Sequence, residues 1–182
     1  MRVRVLMFTA CISAAVGVTV AAAAGAQGVT KETVAGVTNF ARLDTTIACA
    51  GATTPAAVAG LRTMGYASII DLRLAGEPGA DIEGESAAAK AAGVNFVHLP
   101  FNEAAPDLAM VDGFLRAVTA PANQPAFVHC ASGNRAAMMW MIKRMLIDKW
   151  DVGRASDEAA ALGLSRPALK AFALDYAQNH KP

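Results

Sequence analysis

The feature that most constrains this chain is a regular alternation of short apolar runs with longer helical patterns. Ala67 to Leu72, Val94 to Leu99 and Ala126 to His129 are short and rich in β-branched or aromatic residues, as buried strands are. The segments between and after them carry helical spacing. Glu83 to Ala92 is Ala-rich and closed by Gly93, and about Asp107 to Val118 sets Met110, Val111, Phe114, Leu115 and Val118 on one face. A heavily apolar helix is expected from Arg135 to about Lys149, with Met138, Met139, Met141 and Met145 packing in the core around Trp140. Two further helices are expected near 155–162 and from Ser165-Arg166-Pro167 to about Gln178. Alternation of this kind predicts an α/β fold, a mostly parallel central sheet with helices on both faces.

Upstream, Phe40 to Leu43 and Thr46 to Cys49 flank Asp44-Thr45 and read as a hairpin or a pair of strand fragments. Thr54-Pro55 opens a helix with Thr54 as N-cap; Val58, Leu61 and Met64 form its apolar face, and Gly65 ends it. At the start of the chain, Arg2 and Arg4 precede an apolar run that gives way to small residues and Ala24-Gly25-Ala26. That is the pattern of an export signal over 1–26, which implies a periplasmic or secreted protein and no stable membrane span after cleavage. Residues 27–37 then read as a loose polar lead-in, and 38–182 as one domain.

The whole chain has 16 basic and 15 acidic residues; without Arg2 and Arg4 there are 14 against 15. Neither balance, nor any Lys/Arg run, suggests a nucleic-acid partner. Three cysteines make no disulfide framework, and no Cys/His spacing forms a zinc site, so neither a metal nor an organic cofactor is implied. Nothing in the sequence speaks to oligomeric state.

The chemistry concentrates at the end of the third apolar run, in His129-Cys130-Ala131-Ser132-Gly133-Asn134-Arg135. In such a sheet, ligands bind beyond the carboxyl ends of the strands, where helix N-termini point. A thiol placed there, beside an arginine, is favoured as the nucleophilic thiolate. The N–H groups of Ala131, Ser132, Gly133, Asn134 and Arg135 could wrap an oxyanion, with Gly133 permitting the turn and Arg135 adding a two-pronged clamp.

This segment resembles the phosphate loop of cysteine-dependent protein tyrosine and dual-specificity phosphatases. Ile69-Ile70-Asp71-Leu72-Arg73, the Ala-rich helix and Val97-His98-Leu99-Pro100-Phe101-Asn102 resemble the compact dual-specificity layout. Thr46 to Gly51 is similar to the opening strand of small bacterial members, including the phosphatase-like domain fused to beta-lactamase-like hydrolases. The resemblance spans about 38–178 and implies hydrolysis of a phosphorylated small molecule or phosphoprotein. It makes Cys130 the nucleophile, Arg135 the clamp and residues 131–134 the loop amides, with His129 orienting the loop and favouring the thiolate. A carboxylic acid from a preceding loop would protonate the leaving oxygen. Glu103 is the first candidate; Asp107 is the second, and it also fits a helix N-cap.

Two features depart from the family pattern. Four residues, not five, separate Cys130 from Arg135, and Ala136 stands where Ser or Thr is usual. A Cys-x4-Arg loop also resembles that of rhodanese sulfurtransferases, as does Asp71-Leu72-Arg73, so a Cys130 persulfide is the alternative chemistry. A non-catalytic anion-binding module is a third reading. Cys49 is either a small buried residue or a disulfide partner for Cys130.

Overall fold

The computed structural model describes residues 28–180; the signal-like segment 1–26 lies outside the described residues. In chain order the elements are β1 (Val29–Lys31), β2 (Ala41–Leu43), β3 (Ile47–Ala50), α1 (Val58–Thr63), β4 (Ser68–Asp71), α2 (Ile82–Ala92) and β5 (Asn95–His98). They continue with α3 (Leu108–Thr119), β6 (Ala126–His129), α4 (Asn134–Leu146), α5 (Val152–Leu162) and α6 (Pro167–Asn179). The strands form one sheet in the order β1-β2-β3-β6-β4-β5. β3, β6, β4 and β5 run parallel to one another, while β1 and β2 join by antiparallel pairing.

Side chains alternate across each strand, and this splits the core in two. Ala48, Ala50, Ile69 and Phe127 face one side, where Val58 and Leu61 of α1 and Ala89 of α2 cover them. Cys49, Ile70, Val128 and Cys130 face the other side, against α3, α4, α5 and α6. Helix α4 is buried around nearly its whole circumference, Met138 to Ile142 included. A helix without a wet face needs a second cover, and α5 and α6 supply it. The indole N–H of Trp140 donates to Glu158 of α5 at 2.6 Å, and the Arg144 Nε donates to the same oxygen at 2.6 Å.

The helices deviate locally from the sequence reading. Helix α4 stops at Leu146 instead of Lys149, because Lys149 takes a left-handed turn (φ 59°) and Asp148 folds back onto Lys143 and Arg144. Thr54 precedes a 3-10 turn, Pro55–Ala57, leading into α1, and its hydroxyl makes no capping bond. The expected loose lead-in is part of the sheet. Val29, Thr30 and Lys31 pair with Leu43, Arg42 and Ala41, and Val37 bridges to Thr53. In β1 only Val29 packs against the core, while Thr30 and Lys31 are exposed, as a sheet edge with one partner allows. Among the described residues no helix is long and apolar enough to cross a membrane.

Candidate active site

The parallel order places the end of β6 between the ends of β3 and β4, and Cys130 leaves the sheet at that point. Its N–H donates to the Ala50 carbonyl at 3.2 Å, the last bond of the ladder. The following loop lies along the continuation of β3, where the Ala52 N–H donates to the Ala131 carbonyl at 3.0 Å. On the other side of the loop, the Asn39 amide donates to the Ser132 carbonyl at 3.2 Å. Gly51 makes this approach possible. A Cβ there would sit 2.3 Å from Thr38 Oγ1 and 3.1 Å from the Ala131 carbonyl oxygen.

Gly133 then takes φ 94°, a conformation that costs L-residues about 1–2 kcal/mol, and begins α4. Its N–H donates to the Cys130 sulfur at 3.1 Å. The N–H groups of Ala131, Ser132, Asn134 and Arg135 have no acceptor among the described residues. A sulfur bonded by a loop amide at the start of a thirteen-residue helix sits where negative charge is favoured.

Asn134 does more than lend an amide. Its side-chain oxygen accepts from the Ser165 N–H (2.8 Å), the Arg166 N–H (3.0 Å) and the Ser165 hydroxyl (3.3 Å). The loop is thereby tied to the turn before α6.

Arg135 is only 5% exposed, so its charge needs partners. Its Nη1 donates to the Leu72 and Phe101 carbonyls, each at 3.0 Å, and to Glu77 at 2.6 Å; Nη2 donates to the other Glu77 oxygen at 2.8 Å. Burial alone would lower the Arg135 pKa, but Glu77 and Cys130 outweigh it and hold the guanidinium more firmly protonated than usual. Burial would raise the Glu77 carboxyl, yet bonds from Arg135 and the Leu74 N–H leave it below the usual carboxylate range. Glu77 is the residue the sequence reading missed. It lies in the Gly/Pro-rich loop after β4, and that loop is fastened by Arg73, which donates to the Pro78 and Gly79 carbonyls at 2.7 and 2.9 Å. The signal was available: a buried arginine requires an acid, and Glu77 is the sole acid between Arg73 and Ala80.

With Glu77 on the Nη1–Nη2 edge, the Nε–Nη2 edge of Arg135 remains for a ligand. Glu103 approaches there, its Oε1 3.8 Å from Nε, and its other oxygen contacts Arg166 Nη1. Asp107 is used differently: it is exposed at the N-cap of α3, where its carboxylate accepts from the Ala109 N–H at 2.9 Å. Of the two candidate acids, Glu103 is the one the fold brings to the arginine. Two cavities lie on this side of the fold, the first against the loop and the second against Glu103 and α6. A polar one of about 610 Å³ is lined by Lys31, Asn39, Ser132, Asn134 and Ser165 among others, and one of about 290 Å³ by Phe101, Glu103, Arg166, Leu169 and Phe172 among others.

His129 precedes Cys130 and so sits on the opposite face of the sheet, stacked on Phe127. Its Nε2 lies 2.9 Å from Glu85 and 3.6 Å from Asp71, all three side chains fully buried. Neither atom of the Glu85 contact makes an aligned hydrogen bond. Their donor atoms all lie within 4.8 Å, a spacing a metal ion could use. Burial raises the Asp71 carboxyl above its ordinary pKa, with His129 and the Arg73 N–H opposing.

Cys49 and Cys130 are both free thiols. Cys49 is in register with Val128, two residues short of Cys130 on the neighbouring strand. That offset puts the Cα atoms roughly 8 Å apart, too far for a disulfide without movement. Burial also pushes the Cys49 thiol far up, toward its neutral form.

Comparisons with known proteins bear on the family and the fold. Residues 39–147 match the family described as beta-lactamase hydrolase-like protein, phosphatase-like domain. Two beta-lactamase hydrolase-like proteins from strains of Xylella fastidiosa are each 37% identical over 103 residues, 54% of this chain but only 22% of theirs. Among solved structures, TpbA of P. aeruginosa superposes with a TM-score of 0.63 at 20% identity, covering 85% of this chain and 92% of TpbA. The core catalytic domain of the S. cerevisiae PP-IP phosphatase Siw14, solved with citrate, gives 0.64 at 18% identity, covering 82% and 89%. A TpbA variant was solved in complex with pTyr (TM-score 0.62, 20% identity, covering 83% and 88%). These structures share the fold, and the family match takes in β2 through α4 with the whole Cys130–Arg135 loop. By that match the chain belongs to the phosphatase-like domain family of beta-lactamase hydrolase-like proteins.

Proposed function

We propose that the protein hydrolyses phosphate monoesters through a Cys130 thiophosphate. One arrangement carries this reading: the Gly133 N–H on the Cys130 sulfur, beside an arginine whose Nη1–Nη2 edge is locked by Glu77. A tetrahedral phosphate dianion fits the remaining Nε–Nη2 edge and the unpaired loop amides, with phosphorus presented to sulfur. The Cys130 sulfur attacks phosphorus, the bond to the ester oxygen breaks, and Glu103 gives its proton to that oxygen. Water then attacks the thiophosphate, the S–P bond breaks, and Glu103 takes the proton of the water. Arg135 and the loop amides hold the equatorial oxygens in both steps. The polar cavity beside Ser132 and Asn134 leaves room for phosphorylated small molecules as well as side chains.

Cys130→Ser should abolish p-nitrophenyl phosphate hydrolysis while leaving the thermal unfolding midpoint in place. Unchanged turnover would refute the nucleophile. Incubation with thiosulfate and cyanide separates the persulfide alternative, since thiocyanate formation without phosphate release would replace this reading with sulfur transfer. We also infer that residues 1–26 direct export and are removed. Supporting this are the charged start, apolar centre and Ala24-Gly25-Ala26 exit. The mass of the protein from fractionated cells tests it: cytoplasmic protein of full-chain mass would refute it.

A further inference from the structure

Glu103 is poorly held by its own segment. It lies in the loop between β5 and α3, where the local bond is an Asx turn from the Ala104 N–H to Asn102, and its carboxylate has only arginines as polar partners among the described residues. One is Arg135 at 3.8 Å, whose near edge must turn to substrate; the other is Arg166. Arg166 is half exposed, and an exposed ion pair ordinarily fixes little. Here, however, the backbone of the arginine is anchored. Its N–H donates to the oxygen of Asn134, a residue of the phosphate loop that is 8% exposed, and Pro167 follows it as the first residue of α6. The side chain therefore projects from a base fixed to the same loop that carries Cys130. Glu103 and Arg166 also share the wall of the 290 Å³ cavity that Phe101, Leu169 and Phe172 complete. A leaving group seated there would meet the Glu103 carboxyl.

We propose that Arg166 is a positioning residue for the general acid, linking the Glu103 carboxyl to the phosphate loop through Asn134. This rests on the assignment of Glu103 as proton donor in phosphate ester hydrolysis. It assigns Arg166 an effect on leaving-group protonation, distinct from phosphate binding.

The test compares p-nitrophenyl phosphate, whose leaving group departs with little protonation, with phenyl phosphate, whose leaving group needs the proton. In Arg166→Ala, kcat for phenyl phosphate should fall roughly 10–100-fold further than kcat for p-nitrophenyl phosphate, part of the range for a general acid. Arg166→Lys should restore much of the ratio, and adding Arg166→Ala to Glu103→Gln should change it no further. Equal losses on both substrates, or a rise in KM alone, would overturn the proposal by making Arg166 a structural or phosphate-binding residue. Wild-type protein that hydrolyses neither ester would instead sink the phosphatase reading itself.

Discussion

Replacing Glu77 probes the support of the site most directly. Glu77→Ala removes both carboxylate bonds from Arg135, at 2.6 and 2.8 Å, together with its bonds to the Leu74 N–H and Arg73 Nε at 3.1 and 3.3 Å. Breaking a buried ion pair costs about 3–5 kcal/mol. Glu77 is 18% exposed, and the Leu72 and Phe101 carbonyls stay on the guanidinium, so roughly 2–4 kcal/mol is expected. For a domain of this size that lowers the unfolding midpoint by about 5–15 °C. Because the Glu77 carboxyl is held below the usual range in the folded protein, its contribution is full above the unfolded value of 4.5 and disappears as pH falls through the folded value. The stability gap between wild type and variant should thus be constant near neutrality and narrow as pH falls below 4.5. Scanning calorimetry from pH 7 to pH 3 measures it, and kcat/KM for p-nitrophenyl phosphate should fall with the freed arginine. A midpoint shift under 2 °C with unchanged kcat/KM would refute the claim that Glu77 fixes the arginine.

The other expectations are smaller in scope. Glu103→Gln should lower kcat on phenyl phosphate by about 10²–10⁴-fold, whereas Asp107→Ala should cost about 0.5–2 kcal/mol of stability through the lost cap; kinetics and urea unfolding of the two variants decide between them. Gly133→Ala should destabilise by about 1–2 kcal/mol and impair turnover, since its φ of 94° is needed to start α4; a fully active variant would contradict the cradle geometry. Glu158→Ala should lose about 3–5 kcal/mol by stranding the Trp140 indole N–H and weakening the hold on Arg144, as chemical unfolding would show. Under mild oxidation of the folded protein, no intramolecular Cys49–Cys130 disulfide should appear in intact-mass spectra.

The sheet and its helices could be read from periodicity because their burial leaves a regular imprint. Ile69-Ile70 and Phe127-Val128 each send one residue to either core, which makes the run continuously apolar. β1 left no such imprint, since an edge strand with one neighbour tolerates polar residues on both sides. In the candidate site, Cys130, Gly133 and Arg135 were legible because thiol, turn glycine and arginine lie within six residues of one another. Glu77 and Arg166 were not, lying 58 residues before Arg135 and 63 after Glu103 in the chain, and nothing local distinguishes them from loop charges. Glu85 carried no signal within its Ala-rich helix, although it faces His129 in the core.

The complete coverage of the Cys130 side chain has a further consequence. An accessible reactive thiol is ordinarily open to oxidants and alkylating agents alike. Here access filters reagents by bulk before intrinsic reactivity counts, so a maleimide and hydrogen peroxide should compete on unequal terms. The packing that covers the sulfur keeps larger electrophiles away from it, a form of chemical durability that comes with the fold.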